Sequence, residues 1–200
     1  MNLQETLGNI DIYLLDQLLK GTYNNCQSVL DVGCGSGRNL TYLAKTGKTI
    51  SGIDRNEETA QLALKNISSI PNAKVGVFTQ AEADHLPFEN ESFDLVIANA
   101  MLHFAKDEDH FNAILDECFR VLKPGGYFFC RTASDIGIEN LVKNQHERTF
   151  ILPDGSTRFL VNLKLLIDAE LRLQAIPHEP IKTTNVQNLR CMTTWCLLKT

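Results

Sequence analysis

No apolar run in this chain approaches the roughly 20 residues that a bilayer-spanning helix needs, so no membrane partner is expected. The opening residues, Met1-Asn2-Leu3-Gln4-Glu5, lack the basic start and apolar core of an export signal. The six cysteines include no C-x-x-C pair and none at ligand spacing from a histidine, which argues against a metal centre. Thiols without an export signal fit a reducing compartment better than a disulfide frame, so a cytoplasmic location is expected. Positive charge is in deficit as well. Lys and Arg number 19 against 24 Asp and Glu, and the formal net charge of -5 gives no general attraction to nucleic acid. Repeats and low-complexity tracts are also missing. What is left, 200 residues at 44% hydrophobic and 22% charged, has the composition of one soluble domain with one sizeable core.

The most specific stretch present is Ser28-Val29-Leu30-Asp31-Val32-Gly33-Cys34-Gly35-Ser36-Gly37-Arg38-Asn39. A short apolar run carries an acid near its end, three alternating glycines follow, and Asn39 to Lys45 then has helical spacing. Glycines let a backbone turn tightly and leave no side chain between it and a bound small molecule. Between a strand and a helix, such a turn marks a nucleotide-type site. Its spelling disfavours a dinucleotide. The third glycine of G-x-G-x-x-G would stand at Arg38, and the next glycine comes one residue early, at Gly37. An acid just before the glycines suits an ammonium group and not a pyrophosphate, which points to S-adenosylmethionine with its zwitterionic amino-acid end.

Upstream, Asn9 to Gly21 reads as an amphipathic helix, with Asn9 as its cap and Gly21 as its stop. From residue 28, apolar runs and helical patterns alternate. Strands are expected at 28–32, 49–53, 74–78, 93–98 and 127–130, with helices at about 57–66 and from an Asp107 cap to Val121. Lys123-Pro124-Gly125-Gly126 ends the latter helix. Beyond residue 131 the pattern predicts two short extended runs joined by Pro153-Asp154-Gly155, a helix over 162–175, and strands near 181–186 and 191–198. The sum is an α/β fold: a doubly wound, mostly parallel, seven-stranded sheet with helices on both faces and an antiparallel last strand. Ligands of such sheets sit at the carboxyl ends of the strands, which puts Asp31, Asp54 and Asn99 on one rim.

Four segments, in order, resemble motifs of the class I S-adenosylmethionine-dependent methyltransferases, especially the small bacterial one-domain members. Leu30–Gly37 looks like the first motif and Gly52-Ile53-Asp54 like the second-strand acid. Ala81–Phe88, followed by Ser92–Val96, looks like the adenine-side loop and fourth strand, and Leu122–Gly126 like the turn into the fifth strand. One departure is Glu82, where many relatives have aspartate. The resemblance implies a Rossmann-like methyltransferase fold in a single domain over 1–200. Its parts would be an N-terminal helical segment (1–27), a cofactor-binding core (28–131), a substrate lid (132–160), and a C-terminal helix and strands (161–200). It implies that Asp31 holds the methionine ammonium and that Gly33, Cys34, Gly35 and Gly37 form the cofactor loop, Cys34 through its backbone. Asp54, beside Arg55, would accept from both ribose hydroxyls. Glu82 and the Ala83 N–H would meet the adenine edge, and Asn99 would line the methionine end. His103 is the candidate base near the transferred methyl, with a purely structural histidine as the alternative.

Two further absences narrow the acceptor. Ala98-Asn99-Ala100-Met101 lacks the Asn/Asp-Pro-Pro-aromatic motif with which relatives hold a planar amide or exocyclic amine, and no Pro-Cys pair supplies a cytosine nucleophile. The expected activity is methyl transfer from S-adenosylmethionine to a small-molecule acceptor by in-line displacement, leaving S-adenosylhomocysteine. Positioning can contribute up to roughly 7–11 kcal/mol to such a step. In the lid region Arg131, Arg148 and Arg158 are candidates for binding an anionic group, with ordinary surface the stronger reading for at least two of them. The alternatives are a regulator or scaffold that binds S-adenosylmethionine without chemistry, and a dinucleotide-dependent oxidoreductase.

Overall fold

Strands covered on both faces need apolar side chains at successive positions, and the central runs of this chain supply them. In the computed structural model, which describes residues 2–200, Val29 and Leu30 turn to opposite faces of one sheet. So do Leu95 and Val96, and Phe128 and Phe129, and all six are fully buried.

Two short helices, α1 (Leu3–Leu7) and α2 (Ile12–Leu19), precede the sheet. Next come β1 (Ser28–Val32), α3 (Thr41–Lys45), β2 (Thr49–Asp54), α4 (Glu57–Ser68), β3 (Lys74–Gln80) and β4 (Phe93–Asn99). A single 3-10 turn (Leu102–Phe104), α5 (Glu108–Val121) and β5 (Leu122–Ser134) follow. A small antiparallel sheet of β6 (Lys143–His146), β7 (Thr149–Ile151) and β8 (Thr157–Phe159) leads to α6 (Leu163–Leu173), β9 (Ala175–Pro177), β10 (Lys182–Val186) and β11 (Arg190–Lys199). The main sheet runs β10-β11-β5-β4-β1-β2-β3. Pairing is parallel from β5 through β4, β1 and β2 to β3, while β11 is antiparallel to both β5 and β10. α2, α3 and α4 pack on one face, α5 and α6 on the other. Strand order reverses between β1 and β4, so their carboxyl ends flank the crevice.

The first helix differs from the sequence expectation. Asp11, not Asn9, caps α2, accepting from the Tyr13 N–H at 2.9 Å and the Leu14 N–H at 3.4 Å, while Gly21, at φ +76° just past the Lys20 cap, stops the helix as expected. Tertiary contacts select the acid: its second oxygen takes Arg131 at 3.0 Å, and its N–H donates to Asn39 Oδ1 at 3.0 Å. β6 and β9 are additions. All four β6 residues are exposed, so no apolar alternation marks them, and β9 ends on a proline. Lys123–Gly126 does not separate helix from strand; it forms a bulge within β5, between the Phe93–Leu122 and Leu95–Tyr127 pairings.

Among the described residues no helix is long and apolar enough to cross a membrane, and no group of His, Cys, Asp or Glu is placed to hold a metal ion. All six cysteines are free and buried.

Candidate active site

The turn after β1 is stitched to β2. The N–H groups of Gly33 and Cys34 both donate to the Ile53 carbonyl at 2.9 Å. Gly33 has φ +77°, in the left-handed region that glycine enters without strain, and it lines the crevice. Asp54 secures the turn from β2: Oδ2 accepts from the Gly35 N–H at 3.1 Å and Oδ1 from the Asn56 N–H at 3.0 Å.

Two loop residues stand elsewhere than expected. A Cβ on Gly37 would point toward α4 at ordinary contact distance, 3.5 Å from Ala63 and Ile67, so what calls for glycine here is its φ of +82°, and the residue does not line the cleft. Cys34 is buried, its N–H is engaged by Ile53 and its thiol packs in the core, where burial raises the pKa. Neither its side chain nor its N–H is turned to the crevice.

The crevice itself is an open cleft with a volume of about 170 Å³. Ile53, Ala81, Ala83, Met101 and Ile114 make apolar walls, and Asp54, Arg55, Glu82 and His110 supply its polar groups. Phe104, half exposed, closes one side with the Arg55 guanidinium 5.8 Å from its ring centre. The loop carrying Glu82 and Ala83 is clamped by α5. Arg120 donates to the Leu86 carbonyl at 2.9 Å and the Phe88 carbonyl at 2.7 Å, and Glu117 accepts from the Leu86 N–H at 2.7 Å. Met101, Phe104, Ile114 and Arg120 were not foreseen. Phe104 adjoins the His103 candidate, but nothing in the spacing marked the other three.

Beneath the cleft lies an unusual group of polar atoms. Asp31 is 1% exposed, and neither carboxylate oxygen has a hydrogen-bond partner among the described residues. Both amide atoms of buried Asn99 are equally alone, as is Nδ1 of His103. Asp31 pairs with Ile97 across β1 and β4, which puts it two residues from Asn99 along the neighbouring strand. Native folds rarely leave buried polar groups unmatched, because desolvation then goes uncompensated. Burial pushes the Asp31 carboxyl up to about 8, against the pull of Arg38 and with a further push from Asp54. Burial, and then the Arg158 cation, pulls His103 down to about 4. Such an acid beside a glycine turn fits a ligand ammonium.

Residues 30–130 match the methyltransferase domain family. This chain belongs to that family. It is 36% identical over 104 residues to the phthiotriol/phenolphthiotriol dimycocerosates methyltransferase of Mycobacterium tuberculosis, a match covering 51% of this chain but 36% of that protein. An S-adenosylmethionine-dependent methyltransferase of Methanosarcina mazei shares the fold with a TM-score of 0.71 at 23% identity, over 90% of this chain and 96% of that one. The 1,6-didemethyltoxoflavin-N1-methyltransferase of Burkholderia thailandensis, solved with its substrate and S-adenosylhomocysteine, aligns with a TM-score of 0.69 at 17% identity, over 100% of this chain and 81% of that one.

In this methyltransferase-domain protein a second cavity adjoins the cleft, and Ala100 lines both. His103, Arg131, Arg158 and Arg190 face it. Of the three arginines weighed from sequence, two have structural partners. Arg131 pairs with Asp11 at 3.0 Å, and Arg148 pairs with Asp135 at 2.9 Å while donating to the Leu160 carbonyl at 2.8 Å. Among the described residues Arg158 has no carboxylate within ion-pair distance, its guanidinium donating to the Thr157 carbonyl at 2.7 Å. Arg190, on β11, was missed because it is far from the lid segment in sequence.

Proposed function

We propose that the protein binds S-adenosylmethionine in the cleft and transfers its methyl group to a small-molecule acceptor in the adjoining cavity, releasing S-adenosylhomocysteine. The observation that carries this reading is the unpartnered, buried Asp31 carboxylate at the end of β1. The bound sulfonium supplies an already activated methyl. What remains for the chain is to bind, orient and exclude water. Ionised Asp31 neutralises the ammonium and accepts its protons, and Asn99 offers an amide beside it. Gly33 leaves room for the ligand. Asp54, held rigid by two backbone donors, takes the ribose hydroxyls, with Arg55 at the mouth. Glu82 and the Ala83 N–H meet the adenine edge.

We assign residues 1–200 to one domain, in which 132–160 covers the acceptor. This cover is anchored, not free: Phe159 stacks on Phe111 of α5 at 5.3 Å between ring centres. The second cavity beside Ala100 favours chemistry over the scaffold reading, because it gives an acceptor access to the rim of the cleft. Six free thiols and an acidic surface fit a cytoplasmic protein acting on small molecules and not on nucleic acid.

Calorimetry tests the cofactor. S-adenosylmethionine and S-adenosylhomocysteine are expected to bind at micromolar affinity and NAD not at all; failure of the first two ends this reading. Asp54→Ala should weaken both by about tenfold or more through loss of the charged acceptor, and unchanged affinity removes the ribose assignment.

His103 serves as the base. Its depressed pKa keeps the ring unprotonated at neutral pH, ready to accept a proton from the acceptor as the new bond forms. His103→Gln is expected to slow turnover about a hundredfold while S-adenosylhomocysteine affinity stays unchanged. With S-adenosylmethionine saturating, the wild-type acid limb should centre near pH 4, since protonation of this ring is what would stop the reaction. Full activity in the variant returns His103 to a structural place.

A further inference from the structure

We infer that the acceptor carries a carboxylate on a compact aliphatic body, and that Arg158 and Arg190 grip this anion in the second cavity; the inference rests on the methyl-transfer reading. The apolar walls there are aliphatic, from Ala133, Leu152, Val186 and Met192, and among the described residues no Phe, Tyr or Trp lines them. Against these walls stand three guanidiniums and a single carboxylate, Asp154. Arg131 is already neutralised by Asp11. Asp154 is held in its own turn, accepting from the Ser156 N–H at 2.9 Å and the Ser156 hydroxyl at 2.6 Å. Arg158 donates only to the adjacent Thr157 carbonyl, at 2.7 Å, and lies 5.2 Å from the Phe104 ring centre. The Arg190 side chain makes no hydrogen bond and no ion pair among the described residues, although the charges of Arg190 and Arg158 both help to hold the Asp154 carboxyl below its usual range, behind the Ser156 hydrogen bonds.

Positive charge therefore exceeds negative in this cavity, although the chain as a whole carries -5. A cavity whose sign opposes that of its protein selects ligands by charge. The guanidinium fork matches a carboxylate, and two forks from separate segments, β8 and β11, fix its position as well as its charge. Arg131 adds one more donor: its Nε is buried without a partner. His103 lines the same cavity, which brings the anion and the base to one acceptor.

Hexanoate, its neutral isostere hexanamide and hexylammonium serve as probes, titrated by saturation-transfer NMR against protein saturated with S-adenosylhomocysteine. Hexanoate is expected to bind about tenfold more tightly than hexanamide, and hexylammonium not to bind. Arg190→Gln and Arg158→Gln should each lower hexanoate affinity about fivefold or more, leaving hexanamide and S-adenosylhomocysteine unaffected. Equal binding of hexanoate and hexanamide, or wild-type hexanoate affinity in both variants, overturns the inference while the cofactor site stands. If S-adenosylhomocysteine itself fails to bind, the methyl-transfer reading falls and takes this inference with it.

Discussion

Asp31→Asn is expected to stabilise the ligand-free protein at pH 8 and, in the same molecule, to weaken S-adenosylhomocysteine binding about a hundredfold. An unfolded aspartate ionises near 3.9, whereas buried Asp31 holds its proton up to about 8. Below pH 4 both states are protonated and the acid carries no penalty of this kind. As pH rises from about 4 to about 8 the unfolded chain ionises and the folded one resists, so stability falls across that window and is lowest above it. Asparagine has no charge to lose in burial. Its advantage should reach about 5 kcal/mol at pH 8, or roughly 10–20 °C in Tm for a domain of this size. At pH 5 about a quarter of it should remain. The ligand's ammonium is what makes the ionised carboxylate favourable, so binding near neutral pH should release a proton from wild type and none from the variant. Calorimetry in buffers of different ionisation enthalpy reads that proton. A variant less stable than wild type at pH 8, or one that binds the ligand as tightly, would falsify this account of Asp31.

Gly33→Val is expected to cost about 3 kcal/mol of stability and to abolish detectable S-adenosylhomocysteine binding. The residue sits at φ +77°, where a β-branched side chain is strained. A Cβ built there lies 2.9 Å from Met101 Cβ, closer than such atoms come. Relief by backbone movement is blocked, because the Gly33 and Cys34 N–H groups are both tied to Ile53. Gly125→Val provides the control: φ is +73°, yet nothing lies within 4 Å of the added carbon. Only the conformational term, about 1–2 kcal/mol, should appear in its melting curve, with ligand affinity intact. Equal losses at the two positions would mean that the Met101 contact and the tied turn contribute nothing.

Elements whose formation depends on local pattern were legible in advance. β1, β2 and β4 are short runs with an acid or amide at or next to their last position, and α5 begins at the foreseen Asp107 cap, which accepts from the His110 N–H at 2.7 Å. Legibility stopped where distant residues decide. Asn9 and Asp11 are equally good caps by type, and Arg131 and Asn39, on other elements, choose between them. The alternating glycines were visible, but that Gly37 looks at α4 while Gly33 looks at the cleft depends on how the helix crosses. An acid near the end of β1 could be read from the chain; that neither of its oxygens finds a partner could not. Arg120 and Arg190 carry no local mark at all, since each acts on a segment about 30 residues or more away.

The antiparallel position of β11 has a consequence in time. It lies between β5 and β10 and bonds to both, so β10 has no partner strand, and β5 has only β4, until residues 190–199 are available. During synthesis the half of the sheet around β1 can assemble first, because every strand in it comes before residue 100. Trp195, fully buried against Phe128, seals the other half last. Val186, Arg190 and Met192 come from this late segment, so a nascent chain completes the rim of the cleft before the second cavity has its walls.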